Sequence, residues 1–397
     1  MIAQRVQAIA PSETLKISAR AKELQREGKS VISLSAGEPD FKTPTHICDA
    51  AIQAIRDGFH GYTVNTGNPE LREAIVDKLR VENGLDYTAD QVILSNGAKQ
   101  SIGFSILATI NPGEEVIIPA PYWVSYPEMV KLAEGVPVIV PTFFDNDYKM
   151  TADQLRKAIS PKTRMLILCS PSNPTGSCYS ADELKALAEV LREYPGILIL
   201  SDEIYEYIVF EHDHVGIGQV ARELKERILL INGFSKGFAM TGWRIGYLAG
   251  PVDVVKSVAK IQSQETSAPS SISQKAAEAA YLSPRDSVKD MVRAFRERRD
   301  YLVEALNSIN GVKCFLPGGA FYAFPNISAF LNLKTPSGNT IHNSTDLCLF
   351  LLEERGLATV PGDAFGEPTG IRLSYAASMD HLKEAVKRLQ EGLQALK

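Results

Sequence analysis

Lys236 and Arg244 lie in the stretch SKGFAMTGWRIGY, residues 235–247, which places an amine and a guanidinium eight residues apart. A salt-bridged surface turn would use these residue types with no further purpose. A lysine that forms an imine, beside an arginine that grips a phosphate, would use them for chemistry. To act as a nucleophile near neutral pH, Lys236 needs a lowered pKa, which partial burial and a cationic neighbourhood supply. Further polar groups follow apolar runs in the same way. Asp202 follows ILILS, with Tyr205 three residues on. A carboxylate at that depth is costly unless paired, so it either caps a helix or meets a cationic ring nitrogen. Asn173 follows MLILCS within PSNPTG and makes either a turn or a side-chain contact at a strand end. Gly97, Ala98 and Lys99 follow VILS and open the helical stretch SIGFSILATI. Free N–H groups behind a glycine suit an ordinary capped helix or a phosphate site. The pattern GxxxxGK[ST] is absent, so this is no P-loop.

These groups need elements to hold them. Apolar runs occur at 92–95, 115–119, 137–141, 165–170, 197–203, 228–235 and 245–250, with helical stretches such as ADELKALAEVLREY (181–194) between them. Strands without polar alternation, separated by helices, predict an α/β fold with a mostly parallel central sheet covered by helices on both faces. Ligands bind such sheets outside the carboxyl ends of the strands, where the polar groups above fall. The C-terminal third reads as a smaller α+β domain. It holds a charged amphipathic helix at 287–309, then GGAFYAFPN, LCLFLLEERG, LATVPG and GIRLSYA, and a last helix with Leu382, Val386, Leu389, Leu393 and Leu396 at core spacing. We assign residues 46–288 to a large domain and 1–45 plus 289–397 to a small one, the N-terminal segment packing there without a sheet of its own.

The bulk properties exclude several classes. A net charge of −5 across 397 residues offers no electrostatic pull towards nucleic acid or anionic membrane. The N-terminus lacks a long apolar run, so a cytoplasmic protein is expected. Five scattered cysteines without a CxxC read as reduced thiols, and no metal site is expected. Gly216 to Ala221 matches GxGxxA but follows the polar stretch FEHDH, against a dinucleotide site. His212 and His214 read as a solvated loop, and Arg293, Arg296, Arg298 and Arg299 as a surface helix.

A lysine, an acid, an asparagine and a phosphate-type loop at the strand ends of one sheet match the demands of pyridoxal 5′-phosphate. Its aldehyde needs a lysine, its ring nitrogen an acid, its ring oxygen donors, and its phosphate a helix N-terminus plus an arginine.

Eight strings strengthen that match: SAGEPDF (35–41), GYTVNTGNPELREAI (61–75), NGAKQ (96–100), PYWVSYPEM (121–129), SPSNPTG (170–176), SDEIYE (201–206), SKGFAMTGWRIGY (235–247) and GIRLSYA (370–376). In this order the chain resembles the class I aminotransferases of fold type I, nearest to the bacterial aspartate aminotransferases of the one-beta subgroup. The resemblance implies a homodimer that transfers amino groups between L-aspartate and 2-oxoglutarate in a ping-pong reaction. It implies that Lys236 is the Schiff-base lysine and proton carrier, and that Asp202 pairs with the ring nitrogen. It gives Asn173 and Tyr205 the ring oxygen, and Trp123 the ring face. Gly97, Ala98, Ser235 and Arg244 would hold the phosphate, with Tyr62 of the second subunit. Arg372 would clamp the substrate α-carboxylate, helped by Gly37 and Asn173. Lys99, Ser12 and Thr14 would meet the distal carboxylate. Members that aminate prephenate often carry lysine just before the Pro-Ser pair, where this chain has Ala10, and Glu13 stands where a small residue is common. The alternatives are a broader acidic, aromatic or prephenate aminotransferase, a lyase or decarboxylase using the same cofactor, and a non-catalytic regulator on this fold.

Overall fold

The computed structural model describes residues 2–11 and 13–397, the side chains of 13–15 excepted. Twelve strands are found among the described residues: β1 (Ile32–Ser33), β2 (Val92–Ser95), β3 (Glu115–Ala120), β4 (Val136–Pro141), β5 (Thr163–Cys169), β6 (Leu198–Asp202), β7 (Ile228–Gly233), β8 (Gly246–Ala249), β9 (Tyr322–Ala323), β10 (Leu357–Ala358), β11 (Val360–Pro361) and β12 (Ile371–Ser374). Seven of them form the central sheet, in the order β2-β8-β7-β6-β5-β3-β4. All its pairs are parallel except those of β8, which runs antiparallel to both β2 and β7. Every residue of β2, β6, β7 and β8 is buried, which only a sheet covered on both faces allows. Alternate residues enter opposite cores: Leu166, Ile199 and Leu230 face one, and Ile167, Leu200 and Ile231 the other. Strand β4, VPVIVP, sits at the edge, where two prolines cost no ladder partner.

The covering helices show why the sequence places them there. Ala181–Glu193 starts at Ser180, whose hydroxyl accepts from the Glu183 N–H while the Glu183 carboxylate accepts from the Ser180 N–H. Its buried stripe is Leu184, Leu187, Ala188 and Leu191. This alternation of strand and capped helix sets the carboxyl ends of β5, β6 and β7 side by side.

A second core gathers around the antiparallel sheet β11-β12-β9. Helices Asp286–Asn307, Ser344–Arg355 and Met379–Gln394 contribute to it, the last through Leu382, Val386, Leu389 and Leu393. The helix Asp286–Asn307 runs unbroken through 288–289. The N-terminal segment does form a strand: β1 pairs in parallel with β10, Ile32 opposite Leu357. Two residues carry too little periodicity to signal a strand, and the pairing is decided by a partner more than 300 residues away.

Candidate active site

Strands β6 and β7 deliver the two central groups. Asp202 ends β6 and is 4% exposed. Its Oδ2 accepts from the Tyr126 hydroxyl at 2.5 Å and its Oδ1 from the Ile204 N–H at 3.3 Å. Burial pushes the carboxyl up to about 6, although both hydrogen bonds pull the other way. Lys236 lies just past the end of β7, and its Nζ donates to the Gly37 carbonyl. The amine sits 5.8 Å from the ring centres of both Tyr205 and Phe321. Burial, then the charge of Arg372, lowers it to about 8, so near neutral pH part of it is free of its proton. Arg372 is the chief part of the cationic neighbourhood that the amine needs, and Arg244 a lesser one.

The phosphate-type loop closes around two glycines. Gly97 precedes the helix Ala98–Thr109 with φ +83°, and a Cβ there would meet Arg244 Nη2 at 2.5 Å. A Cβ on Gly246 would meet the Ala98 nitrogen at 2.5 Å. Both positions must lack a side chain for the guanidinium and β8 to reach the helix start. Arg244 itself has φ +52°, a left-handed conformation that is uncommon outside glycine. Its Nη1 donates to the Thr241 carbonyl at 2.9 Å and its Nη2 to the Asn96 carbonyl at 3.1 Å.

The small sheet contributes Arg372, from β12, 3% exposed. Its Nη1 donates to Asn173 Oδ1 at 2.9 Å and its Nη2 to the Ser35 carbonyl at 2.8 Å. The guanidinium lies 4.5 Å over the Tyr322 ring and 5.2 Å from that of Phe365. Its Nε is buried without a partner.

These groups surround one cavity of about 580 Å³, lined among others by Gly37, Ala98, Lys99, Trp123, Asn173, Asp202, Tyr205, Ser235, Lys236, Arg244 and Arg372. The Lys99 amine lies 4.9 Å over the Trp123 ring, and burial, then the charge of Arg244, lowers its pKa. Gly97 stands behind Arg244. Tyr62 does not line the cavity, and its side chain is fully exposed. Ser12 lies outside the described residues, as does the side chain of Thr14.

Several contributors carried no signal of their own. Tyr126 and Tyr322 are two: Tyr322 meets the Tyr205 hydroxyl at 2.9 Å. Both stand in aromatic-rich strings, PYWVSYPEM and GGAFYAFPN, and only the fold shows which rings turn inward. Ser35 and Glu38 are two more: with Gly37, which the resemblance names, they form a strip of N-terminal chain reaching Arg372, Lys236 and, through Glu38 Oε2, the Thr241 hydroxyl at 2.8 Å. Two expectations are corrected. His214 is turned inward, its side chain 8% exposed, with Nε2 2.9 Å from Glu203 Oε2, because a buried carboxylate needs a partner there. Arg299 is buried, its fork on Glu211 at 2.7 Å through both Nη atoms, with the guanidinium 4.5 Å over the Phe210 ring.

The cavity fits pyridoxal 5′-phosphate. An anion finds the helix start at Ala98 and the Arg244 guanidinium together, in a cradle that a Cβ at position 97 would fill. A ring cation finds the buried Asp202 carboxylate, and an aldehyde finds a lysine poised to lose its proton.

The comparisons agree. The family model for aminotransferase class I and II matches residues 29–389. The chain belongs to that family and is a transaminase that works with pyridoxal 5′-phosphate. It is 51% identical over 392 residues to the aspartate/prephenate aminotransferase of Nitrosomonas europaea, covering 98% of each. The crystal structure of the aspartate aminotransferase from Rhizobium meliloti superposes with a TM-score of 0.97, at 46% identity and over 100% of both chains. The Thermus thermophilus aspartate aminotransferase with maleate matches with a TM-score of 0.92, at 41% identity, over 98% of this chain and 99% of that one.

Proposed function

We propose that the protein is an aspartate aminotransferase, which moves the amino group of L-aspartate to 2-oxoglutarate in a ping-pong reaction. One observation carries the substrate reading: two cations, Arg372 and Lys99, face the cavity that also holds Lys236. A four- or five-carbon substrate with two carboxylates suits that pair. The Thermus relative, solved with the dicarboxylate maleate, supports this.

Bound pyridoxal 5′-phosphate supplies an electron sink for the carbanion formed at the substrate α-carbon. The chain's own groups do the rest. Lys236 Nζ takes the α-proton and returns it on the cofactor side. Asp202 holds the proton on the ring nitrogen in place. Asn173 and Tyr205 would hold the ring oxygen, and Trp123 would pack against the ring. The Ala98 N–H, the bare Cα of Gly97, Ser235 and Arg244 would hold the phosphate. Arg372, with Asn173 and the Gly37 backbone, presents a planar fork to the α-carboxylate. Lys99 meets the distal carboxylate as a flexible point charge and so accepts two side-chain lengths. Tyr62, exposed on its own subunit, completes the phosphate site of a second copy, making the working form a cytoplasmic homodimer. The units 46–288 and 1–45 plus 289–397 move against each other as substrate binds.

A second reading, prephenate as an amino acceptor, is favoured by the name of the Nitrosomonas relative. The lysine associated with that activity is absent here: Ala10 takes its place, its N–H donating to Glu128 Oε2 at 2.7 Å. Measuring kcat/KM for aspartate, phenylalanine and prephenate in wild type and Lys99→Ala tests both readings. Lys99→Ala should raise KM for aspartate roughly tenfold, as expected for one charge-assisted contact, and leave phenylalanine nearly unchanged. Equal losses would remove Lys99 from recognition. Prephenate turnover matching that of aspartate in wild type would overturn the Ala10 reading.

A further inference from the structure

The helix Ser125–Leu132 does more than cover the sheet. Its Tyr126, 2% exposed, places a hydroxyl on Asp202 Oδ2 at 2.5 Å. Its ring is fixed edge-on to Trp123, with centroids 5.3 Å apart at 81°. We propose that Tyr126 is the positioning residue that keeps Asp202 ionised and decides which of its oxygens is left for the cofactor's ring nitrogen. This rests on the placement of that nitrogen at Asp202.

Burial and the Asp202 charge hold the Tyr126 phenol far above its usual range, so it stays protonated and can only donate to the carboxylate. A donor to the charged form favours that form. The other groups around Asp202 cannot replace it. Cys169, opposite Asp202 across β5 and β6, is a neutral thiol pushed up to about 12 by burial, and its Sγ donates to the Pro171 carbonyl at 3.5 Å. Glu203, the next residue, repels the charge, and Lys236 attracts it only weakly. The Ile204 N–H holds Oδ1 at 3.3 Å, a long contact that leaves this oxygen free to turn to a better donor. With Oδ2 committed to the phenol, Oδ1 is the oxygen available to a ring N–H.

The test is the pH dependence of cofactor binding to the apo-protein, with pyridoxal 5′-phosphate itself as the probe, in wild type, Tyr126→Phe, Asp202→Asn and the double variant. Titrations of the free cofactor are common to all four proteins and cancel in the comparison. Wild-type affinity should fall as pH drops through about 6, where the Asp202 carboxyl takes its proton. In Tyr126→Phe the fall should begin about one pH unit higher, leaving affinity roughly fivefold weaker at pH 6, approaching tenfold weaker near pH 5, and wild-type-like at pH 9. In the Asp202→Asn background the same substitution should leave the pH profile where it was. An unchanged profile, or a loss equal at every pH, would reduce Tyr126 to a packing residue and overturn the proposal. The same shift in the Asp202→Asn background would overturn it too. A wild-type profile identical to that of Asp202→Asn would instead remove the ring nitrogen from Asp202, a failure of the underlying reading and distinct from the others.

Discussion

Asp202 and Glu203 are neighbours at one strand end and almost equally buried, at 4% and 2% exposed, yet their carboxyls move in opposite directions. Asp202 rises to about 6, because burial outweighs its two hydrogen bonds. Glu203 falls below its ordinary range: burial opposes this, but His214, the Ser201 hydroxyl at 2.8 Å and the charge of Lys78 outweigh it. Behind Glu203 the pairing is complete, with Glu206 bound to the Lys78 amine and to the Asn83 amide at 3.1 Å. One residue of strand alternation separates a site from its foundation. On the foundation side each buried charge has a polar or charged partner within the chain. On the cavity side Asp202, Lys236 and Arg372 carry charges that the chain leaves for a ligand to complete.

That contrast can be broken at either side, and the largest effect is expected in the cavity. Lys236→Ala should lower turnover on the order of 10⁴-fold, as for loss of a principal proton carrier. It should also abolish the pyridoxyl label that borohydride otherwise fixes on residue 236. A label of wild-type yield on another lysine would show that the amine had been misplaced. The next effect lies on the foundation. Lys78→Ala leaves Glu206 buried without its counter-charge and should cost about 3–5 kcal/mol of stability, read by denaturant unfolding. A loss under about 1 kcal/mol would mean that the two sides do not differ as described.

The third prediction sharpens the comparison, because its two readouts have opposite signs. Asp202→Asn should slow transamination by about 3 kcal/mol in barrier height, as when a charge-stabilising group is removed. It should also stabilise the apo-protein. The folded-state pKa of Asp202 is raised from the ordinary 3.8 to about 6, so its ionisation favours the unfolded chain. The wild-type disadvantage is absent below about pH 4, grows between pH 4 and 6 and is constant above, reaching roughly 3 kcal/mol. Apo-protein unfolding at pH 3.5 and pH 7.5 reads it. A variant less stable than wild type at pH 7.5 would mean that Asp202 is structurally paired, like Glu203.

What the sequence discloses follows the same division. Lys236, Asp202 and Asn173 stand directly after apolar runs, so their place at the mouth of a covered parallel sheet was readable from local pattern. Arg372 was readable only from the eight strings taken together. The partners were not readable. Tyr126 reaches Asp202 across 76 residues, and Arg372 meets Ser35 across 337. No periodicity encodes which tyrosine of PYWVSYPEM turns inward. His214 and Arg299 misled for a related reason: their charge suggested solvent, and their buried partners, Glu203 and Glu211, appear only once the chain is folded.

The pairing of β1 with β10 and the bond from Arg372 to the Ser35 carbonyl join residues more than 300 positions apart. Loop closure over such a span costs entropy that only late contacts repay. During synthesis the N-terminal strip waits, with Gly37 and Glu38 in it, while the sheet strands behind Asp202 and Lys236 emerge and pack. Arg372 leaves the ribosome 337 residues after Ser35. The nascent protein therefore completes its foundation before Arg372 can reach Ser35, so a chain cut short before β12 can build the sheet but never that bond.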